Sequence, residues 1–262
     1  MNSAQLFQLA NLLTYKILLA FFPFLIFLIT ILGAIQTDLT PLAARLSGIV
    51  TAPVLQLVEA QIGRITSRPN PGLMSISFAT GLFSASGGFK AVMHGVNATH
   101  HQLDRRGFVK RSLIAICLAL LFVFAILSAL VAVMLENLYM PALKAYAAGR
   151  PIIMAAANLG ITAGLFFLLV LSTMAIYKFS LAKKVPFSRT FPGAFAAVLL
   201  WILVSKGFDI YITRFSNFSS VYGSIANIFV LILWLNLISQ ILLTGSLINA
   251  GLAIKNEPKS KS

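Results

Sequence analysis

Long apolar segments dominate the pattern of hydrophobic and polar positions along this chain. The clearest runs for 23 residues without a charge, from Leu113 to Leu135. At a rise of about 1.5 Å per residue, a helix of this length reaches roughly 34 Å, enough to cross the roughly 30 Å hydrocarbon core of a bilayer. A helix that is apolar on every face must be surrounded by apolar material. The segment therefore predicts a membrane-spanning helix, and it does not fit a soluble domain.

Similar segments recur along the chain and predict six membrane-spanning helices. Five are strongly apolar, whereas the second in chain order, Leu73–Gly95, is rich in Gly, Ser and Ala and is less hydrophobic. The predicted fold class is all-α, with one polytopic membrane domain over residues 1–254 and a short basic cytoplasmic tail over 255–262. The six spans are predicted at about 17–35, 73–95, 113–135, 152–177, 191–212 and 222–254.

The loop between the first two spans, residues 37–72, is the sizeable external region of this topology. Its apolar positions follow helical spacing and its polar side chains lie opposite, with a break at Pro53. This pattern predicts an amphipathic helix or helix pair. The segment either rests on the outer membrane surface as a connector or covers a cavity of the bundle as a lid.

Composition agrees with a membrane protein. Hydrophobic residues make up 59% of the chain and charged residues 10%, against roughly 25% charged residues in soluble domains. The single cysteine, Cys117, excludes an internal disulfide and a cysteine metal cluster. A net charge of +14 would suggest nucleic acid as the partner of a soluble protein. Here the basic residues flank apolar spans, so no nucleic-acid partner is expected.

The distribution of basic residues predicts the orientation. With six spans, 13 of the 20 Lys and Arg residues lie on the side of the two termini, and the other seven are spread over longer loops on the opposite side. Cytoplasmic loops carry the excess of Lys and Arg in membrane proteins. Both termini are therefore predicted to be cytoplasmic.

Polar and small residues inside the spans are the candidate functional residues, because polar side chains in a bilayer usually face the bundle or a cavity. Asn236 and Gln240 share one face of the last span, and Pro23 is expected to kink the first. These residues either line a path for a substrate or ion, or serve only for helix packing and hydrogen bonding between helices. The candidate path residues are Pro23, Ser84, Ser86, Gly87, Gly88, Asn236 and Gln240.

A second set is assigned to close packing of helices, where small side chains let backbones approach. Lys206 and Asp209, three residues apart in the fifth span, form a possible ion pair, although both could also reach the outer interface separately. No metal site and no catalytic set is predicted. The candidate packing residues are Gly81, Ala85, Gly160, Gly164, Gly223, Asn227, Gly245 and Asn249.

Several stretches in or beside the first, second and last spans form recognisable motifs. Around the first span they are Thr14-Tyr15-Lys16, Leu18-Leu19-Ala20-Phe21-Phe22-Pro23-Phe24 and Gly33. Around the second they are Leu82-Phe83-Ser84-Ala85-Ser86-Gly87-Gly88 and Val96-Asn97. Around the last they are Val221-Tyr222-Gly223-Ser224, Leu233-Trp234-Leu235 and Thr244-Gly245-Ser246-Leu247-Ile248-Asn249-Ala250. Together these stretches resemble the YihY/BrkB family of bacterial inner-membrane proteins, sometimes called virulence factor BrkB.

This resemblance implies a six-span protein of the bacterial inner membrane and says little about chemistry. Members have carried an old ribonuclease label, but the six carboxylates of this chain are scattered over loops and span ends, so no paired set for metal-assisted hydrolysis is visible. The protein is therefore expected not to be an enzyme and to need no cofactor.

The expected function is transporter-like, with membrane lipids as partners and a lipid or amphiphilic envelope component as the substrate. That expectation is carried over from relatives discussed as lipid or envelope-component transporters. The alternative is a non-transporting membrane scaffold that binds envelope partners, in which the polar side chains serve only helix packing.

The topology can be tested by labelling single cysteines in a Cys117→Ala background. A cysteine introduced at Ser47, in the predicted external segment, should react with an impermeant maleimide in intact cells. Reaction only after the cytoplasm is opened would show that the orientation is reversed.

Overall fold

The computed structural model describes residues 2–34, 71–146, 151–214 and 224–255. Within these ranges every long element is an α-helix, and no strand occurs there. A short 3-10 helix, Phe187–Thr190, leads directly into the fifth helix. The helices are α1 (Ser3–Ala34), α2 (Pro71–Thr99), α3 (Phe108–Tyr146), α4 (Pro151–Ser180), α5 (Phe191–Arg214) and α6 (Ser224–Lys255).

Local sequence explains where several helices begin and end. The Asn2 side chain accepts a hydrogen bond from the backbone N–H of Gln5, and Gln5 Oε1 accepts one from the backbone of Asn2, which is a capping box at the start of α1. Pro71 and Pro151 are the first residues of α2 and α4, where the missing N–H costs nothing. Beyond α2, His101 adopts a left-handed conformation with φ of 52°.

That left-handed residue completes a Schellman motif. The backbone N–H of Gln102 donates to the carbonyl of Asn97 at 2.9 Å, and the N–H of His101 donates to that of Ala98 at 3.0 Å. These two bonds satisfy carbonyls that the end of a helix leaves without partners. The chain therefore leaves α2 in a fixed direction toward α3.

The helices pack as a ring in chain order. Each of α1 to α5 contacts the next helix, and α6 returns to pack against α1. Helix α2 also contacts α4 and α6, so it touches four of the other helices. A helix surrounded in this way presents little surface to lipid and does not need an apolar residue at every position. This placement explains why the corresponding segment of the sequence is the least hydrophobic.

Five of the described helical segments are long and apolar enough to cross a membrane, which confirms a polytopic all-α membrane protein. Helix α2, which contains the predicted span 73–95, is not one of them, so a count of six spans stays a prediction. The five segments are Ser3–Leu25, Phe108–Ala129, Ile152–Ser180, Phe187–Tyr211 and Ile228–Ile254.

The start of the first helix lies further from its predicted position than the start of any other helix. The predicted span 17–35 treats Lys16 as a residue that precedes the membrane, whereas α1 begins at Ser3 and contains Lys16. The capping box at Asn2 accounts for the earlier start. The external segment 37–72 lies outside the described residues except for Pro71 and Gly72, which begin α2, and residues 256–262 of the tail also lie outside them.

All six helices contribute to one buried cluster at the end of the bundle where α2 ends. Its largest fully buried side chains include Leu13, Met93, Leu118, Tyr177 and Leu243. A second, smaller cluster joins α5 and α6 around Trp234. The hydrophobic packing of the described helices is therefore divided between two clusters, which follow one another along the bundle.

The closest approach in the first cluster is between α5 and α6. A Cβ atom added to Gly245 would lie 2.6 Å from the backbone oxygen of Gly193 and 2.8 Å from the Cβ of Ala197. The hydroxyl of Tyr177 also lies against this position and donates a hydrogen bond of 2.7 Å to the carbonyl of Leu242. Only glycine leaves room for this contact.

We expect Gly245→Ala to destabilise the protein, because the methyl group would force α5 and α6 apart. Overpacking of this kind costs about 1–3 kcal/mol, which should lower the melting temperature in detergent by several degrees. Gly251→Ala is the matched control, since a Cβ there meets nothing within 4 Å. The account of the contact is wrong if the two variants melt at the same temperature.

Candidate functional site

Four polar side chains form a hydrogen-bonded network between α1 and α6, which we call the polar seam: Asn11, Thr14, Asn236 and Gln240. Asn236 Nδ2 donates to Asn11 Oδ1 at 2.8 Å and to Thr14 Oγ1 at 3.1 Å. Gln240, one turn along α6, donates from Nε2 to Asn236 Oδ1 at 2.6 Å. Asn236 is therefore bonded through both ends of its amide and is the centre of the seam.

The seam runs from the interior of the bundle to its outer surface. Thr14 is only 5% exposed, and its hydroxyl donates to the carbonyl of Ala10 at 2.7 Å, which fixes its orientation. Asn236 and Gln240 are half-buried, whereas Asn11 is exposed. The network thus connects a buried hydroxyl to an amide that faces the surroundings of the protein.

Both helices of the seam belong to segments that could cross a membrane. Asn236 lies about 12 Å along α6 from Ile228, where that apolar segment begins. At such a depth a polar group without a partner costs several kcal/mol. The mutual hydrogen bonds of the seam offset that cost.

The chemistry of the seam is that of neutral amides and one hydroxyl. Among the described residues, the Asn11 amide nitrogen donates no hydrogen bond and Gln240 Oε1 accepts none. Each atom can therefore form a hydrogen bond with a ligand. The seam contains no carboxylate, imidazole or thiol that could act as a general base or nucleophile. It is suited to binding a polar group reversibly.

Sequence reasoning identified half of this network. Asn236 and Gln240 were predicted to share a face of the last span, and the structure joins them by a hydrogen bond. Asn11 and Thr14 were missed because the first span was predicted to begin at residue 17. The capping box at Asn2 is the signal that could have extended the helix back over them. A role of Asn236 and Gln240 in a path stays a prediction.

The candidate residues of α2 do not converge on the seam. Ser86 is buried and donates to the carbonyl of Phe83 at 2.6 Å, within its own helix. Ser84 is half-buried and Gly87 is exposed, and a Cβ at Gly88 would lie 3.3 Å from that of Ala20 in α1. Gly88, predicted to line a path, thus lies where α1 and α2 approach closely.

The candidate packing residues have different surroundings. Gly81 and Ala85 are buried on α2, and Gly245 lies at the close contact with α5. On α4, Gly160 and Gly164 are both exposed, and a Cβ at either meets nothing within 4 Å among the described residues, so their role in packing stays a prediction. The described part of α4 packs through residues nearer its other end, such as Val170, Ile176 and Tyr177.

The remaining candidates are placed only in part. Pro23 lies half-buried inside α1, which continues to Ala34. In α5, Lys206 is exposed and Asp209 is half-buried. Gly223 lies outside the described residues, and so does the side chain of Asn227.

Asn249 holds α6 to the start of α5. Its Oδ1 accepts a hydrogen bond of 2.7 Å from the backbone N–H of Gly193, and its Nδ2 donates to the carbonyl of Thr190 at 3.2 Å. Asn249 is 4% exposed. This side chain therefore supplies an acceptor to the Gly193 N–H, one of the N–H groups that the start of a helix leaves unpaired.

A second group of polar side chains, which we call the α4 clamp, holds the end of α4: Asn97, Asp104 and Arg106. Asn97 Nδ2 donates to the carbonyl of Ser180 at 2.8 Å, and its Oδ1 accepts from the N–H of Ala182 at 2.8 Å. Arg106 donates to the same Ser180 carbonyl at 2.6 Å. A cation at the C-terminus of a helix also interacts favourably with the helix dipole.

Asp104 orients the arginine of the clamp. Arg106 Nε donates to Asp104 Oδ1 at 2.7 Å and Nη2 donates to Oδ2 at 2.9 Å, which makes a bidentate pair. Burial of the Asp104 carboxyl acts to raise its pKa, but the hydrogen bonds and charge of Arg106, with the charge of Arg111, outweigh burial and lower the pKa below its ordinary value. None of the clamp was predicted as a site, because the backbone groups of α4 and Ala182 that Asn97 and Arg106 bind are distant in sequence.

Comparison with known proteins identifies relatives over the whole chain. A model of the family described as Virulence factor BrkB matches residues 1–262. The "Putative ribonuclease-like protein YfkH" of Bacillus subtilis (strain 168) is 31% identical over 241 residues, which are 91% of this chain and 86% of that protein. The resemblance stated from the sequence motifs is confirmed. No solved structure matches the chain.

Shorter matches link the chain to proteins named as membrane proteins. A "UPF0761 membrane protein" of Vibrio atlanticus (strain LGP32) is 40% identical over 70 residues, 27% of this chain and 22% of that protein. Another, from Aeromonas salmonicida (strain A449), is 34% identical over 96 residues, 37% of this chain and 33% of that protein. The matched stretch is a third or less of the length of these two relatives.

We expect Asp104→Asn to lower the melting temperature at neutral pH, because Arg106 loses its negatively charged partner. A carboxyl whose pKa is lowered in the folded state contributes stability above its unfolded pKa, here near 3.8, and loses it as pH falls through the folded pKa. The difference in melting temperature between wild type and variant should therefore be largest above about pH 4 and shrink below it. A constant difference from pH 7 to pH 3 would contradict this assignment.

Proposed function

The chain belongs to the virulence factor BrkB family, and from that premise we propose that it is a bacterial inner-membrane protein that moves or binds a lipid or another amphiphilic envelope component. Its membrane location follows from the apolar helices and from relatives named as membrane proteins. The proposed orientation has both termini in the cytoplasm, and it is supported by the excess of Lys and Arg on that side.

The polar seam is the observation that carries this proposal. A network used only to hold two helices together would be expected to satisfy its polar atoms internally and to exclude its surroundings. Here the seam ends at the exposed Asn11, and the Asn11 amide nitrogen and Gln240 Oε1 retain binding capacity among the described residues. An amphiphile has one polar and one apolar part, so its head group could use these amides while its chains stay in lipid.

The position of the seam between the first and last helices of the ring also supports the proposal. Nearer its C-terminal end, α6 is held to α5 at Gly245 and Asn249. In contrast, α1 and α6 meet through the seam and through apolar contacts of Ile17, Leu18 and Phe21. We propose that α1 and α6 separate locally when a head group replaces their mutual hydrogen bonds. The α5–α6 contact would stay intact during this motion.

We also propose that the protein is not an enzyme, despite the name of its Bacillus subtilis relative. The groups in the seam bind but neither transfer protons readily nor attack a phosphodiester. The residues of the α4 clamp are all engaged with one another or with the end of α4. These assignments leave the seam with a binding role.

A membrane scaffold is the second candidate function, and the packing of the bundle favours it. The described helices enclose two contiguous buried clusters, and the cleft between α1 and α2 encloses only about 10 Å³. Pockets that enclose drug-sized ligands are typically about 300–1,000 Å³, so a lipid would not be enclosed here. The two functions differ in whether lipid or solute crosses the membrane.

The comparison of two leucine substitutions in α6 separates a path from a structural role. Gln240→Leu should abolish transport of a fluorescent phospholipid across reconstituted vesicles while folded yield and melting temperature stay near those of wild type, because it removes one hydrogen bond and a leucine fits an apolar helix. Asn236→Leu should also abolish transport per folded molecule. Its melting temperature should fall, because Asn11, Thr14 and Gln240 each lose a partner.

Asn249→Leu is the matched control, because it makes the same change at a buried amide outside the seam. It leaves the Gly193 N–H without its acceptor, and an unsatisfied buried group costs about 1–3 kcal/mol. Its transport should fall only in proportion to the folded protein recovered. If Asn236→Leu loses stability but retains transport per folded molecule, the seam holds helices together and the scaffold is the better account.

A further inference from the structure

A shallow cleft lies between α1 and α2, on the other side of α1 from the seam. Its apolar floor is formed by Leu9, Leu12 and Leu13 of α1 and Ala91 of α2. Two polar side chains, Lys16 and His94, line it as well. The cleft opens to the surroundings and encloses only about 10 Å³, so a head group would rest on its surface and not be enclosed by it.

No carboxylate of the described residues balances the charge of the cleft. Helices α1 and α2 contain no Asp or Glu. Among the described residues, both ion pairs are made by Asp104, and neither involves Lys16. Lys90, one turn before His94 on α2, is directed elsewhere, since its Nζ lies 5.0 Å from the centre of the Phe108 ring. Within the part of the chain that the structure describes, the ammonium group of Lys16 thus lacks an anionic partner.

The position of Lys16 makes this lack significant. Its side chain is exposed, and it lies immediately before the predicted first span, residues 17–35, on the cytoplasmic side of the proposed topology. Basic side chains at this surface attract the anionic lipids of the cytoplasmic leaflet. An anion supplied by a ligand would provide the missing partner, and the imidazole of His94 would add a hydrogen-bond donor.

Exposed apolar residues continue from the cleft along the same pair of helices. Leu19 follows Lys16 by one turn of α1 and is 60% exposed, and on α2 Phe83 is 76% exposed. Gly87 lies between Phe83 and Ala91 and has nothing within 4 Å of its Cβ position. Residues at this spacing share a helix face. Beyond Lys16 and His94, the surface of α1 and α2 is therefore apolar, and it has a gap at Gly87.

We propose that this cleft binds an anionic phospholipid, with the phosphate at Lys16 and His94 and an acyl chain along Leu19, Gly87 and Phe83. The inference rests on the proposed function and names the class of its substrate. A zwitterionic lipid would bring its own cation next to Lys16, so the cleft should select lipids with net negative charge. Free phosphate should bind weakly, because it gains nothing from the apolar floor.

Native mass spectrometry of the full chain tests the proposal. Protein is released from micelles that contain equal amounts of dioleoylphosphatidylglycerol and dioleoylphosphatidylcholine. We expect wild type to retain phosphatidylglycerol preferentially and Lys16→Gln to lower the fraction of that adduct at least threefold. His94→Gln provides a second variant if Lys16→Gln fails to fold. Lys184→Gln, which removes one charge from the exposed loop after α4, should leave the adduct unchanged.

Three outcomes would overturn the proposal. Lys16→Gln and His94→Gln could both retain the adduct of wild type, Lys184→Gln could lower it equally, or millimolar inorganic phosphate could displace the lipid. The last outcome would make the cleft a phosphate site without a lipid role. Because this experiment measures binding and not transport, its failure is distinguishable from failure of the proposed function, which the Asn236→Leu variant tests.

Discussion

The structure depends on one constraint: polar groups placed among apolar helices must find partners. In water such groups are solvated, but inside a bilayer an unpaired amide costs several kcal/mol. Asn249 meets the constraint by holding backbone groups of α5, and Asn97 by holding those at the end of α4. The polar seam meets it only in part, because its network ends at an exposed amide. Lys16 has no anionic partner within the described residues. The polar seam and Lys16 lie on opposite sides of α1. Each has polar groups without a full set of partners, and each is the basis of one proposal for function.

The same constraint explains how the ring of helices is stabilised. One end of the bundle is held firmly, by the contact at Gly245, by Asn249, and by the bidentate pair of Asp104 and Arg106 in the α4 clamp. Helix α1 is attached differently, through α2 on one side and the seam on the other. A motion that opens the seam would therefore leave the clamped end in place. This division between a fixed end and a helix joined by exchangeable hydrogen bonds suits a protein that admits a polar head group from the membrane.

Hydrophobic patterning predicted the presence and order of the helices, because long apolar segments have few other uses. It predicted the start of α1 poorly, since hydropathy marks where a chain becomes apolar and the Asn2–Gln5 capping box marks where the helix begins. For the same reason Asn11 and Thr14 were missed while Asn236 and Gln240 were identified. The contact of Arg106 with the carbonyl of Ser180 could not be predicted, because a backbone carbonyl distant in sequence carries no sequence signal. The Gly160–Gly164 motif shows the opposite difficulty: its spacing permits a close helix contact, but spacing does not specify a neighbour, and none of the described residues lies there.

The most direct test of the central claim is a lipid-scrambling measurement on wild-type protein in vesicles. The vesicles carry a trace of phosphatidylglycerol with a fluorophore on one acyl chain, so that its head group is unmodified. An impermeant reductant that bleaches the fluorophore is added outside. The account predicts that the reductant bleaches the label of both leaflets, because the protein brings inner-leaflet lipid to the outside. Bleaching of the outer leaflet alone, as in protein-free vesicles, with protein shown to be folded and inserted, would contradict it.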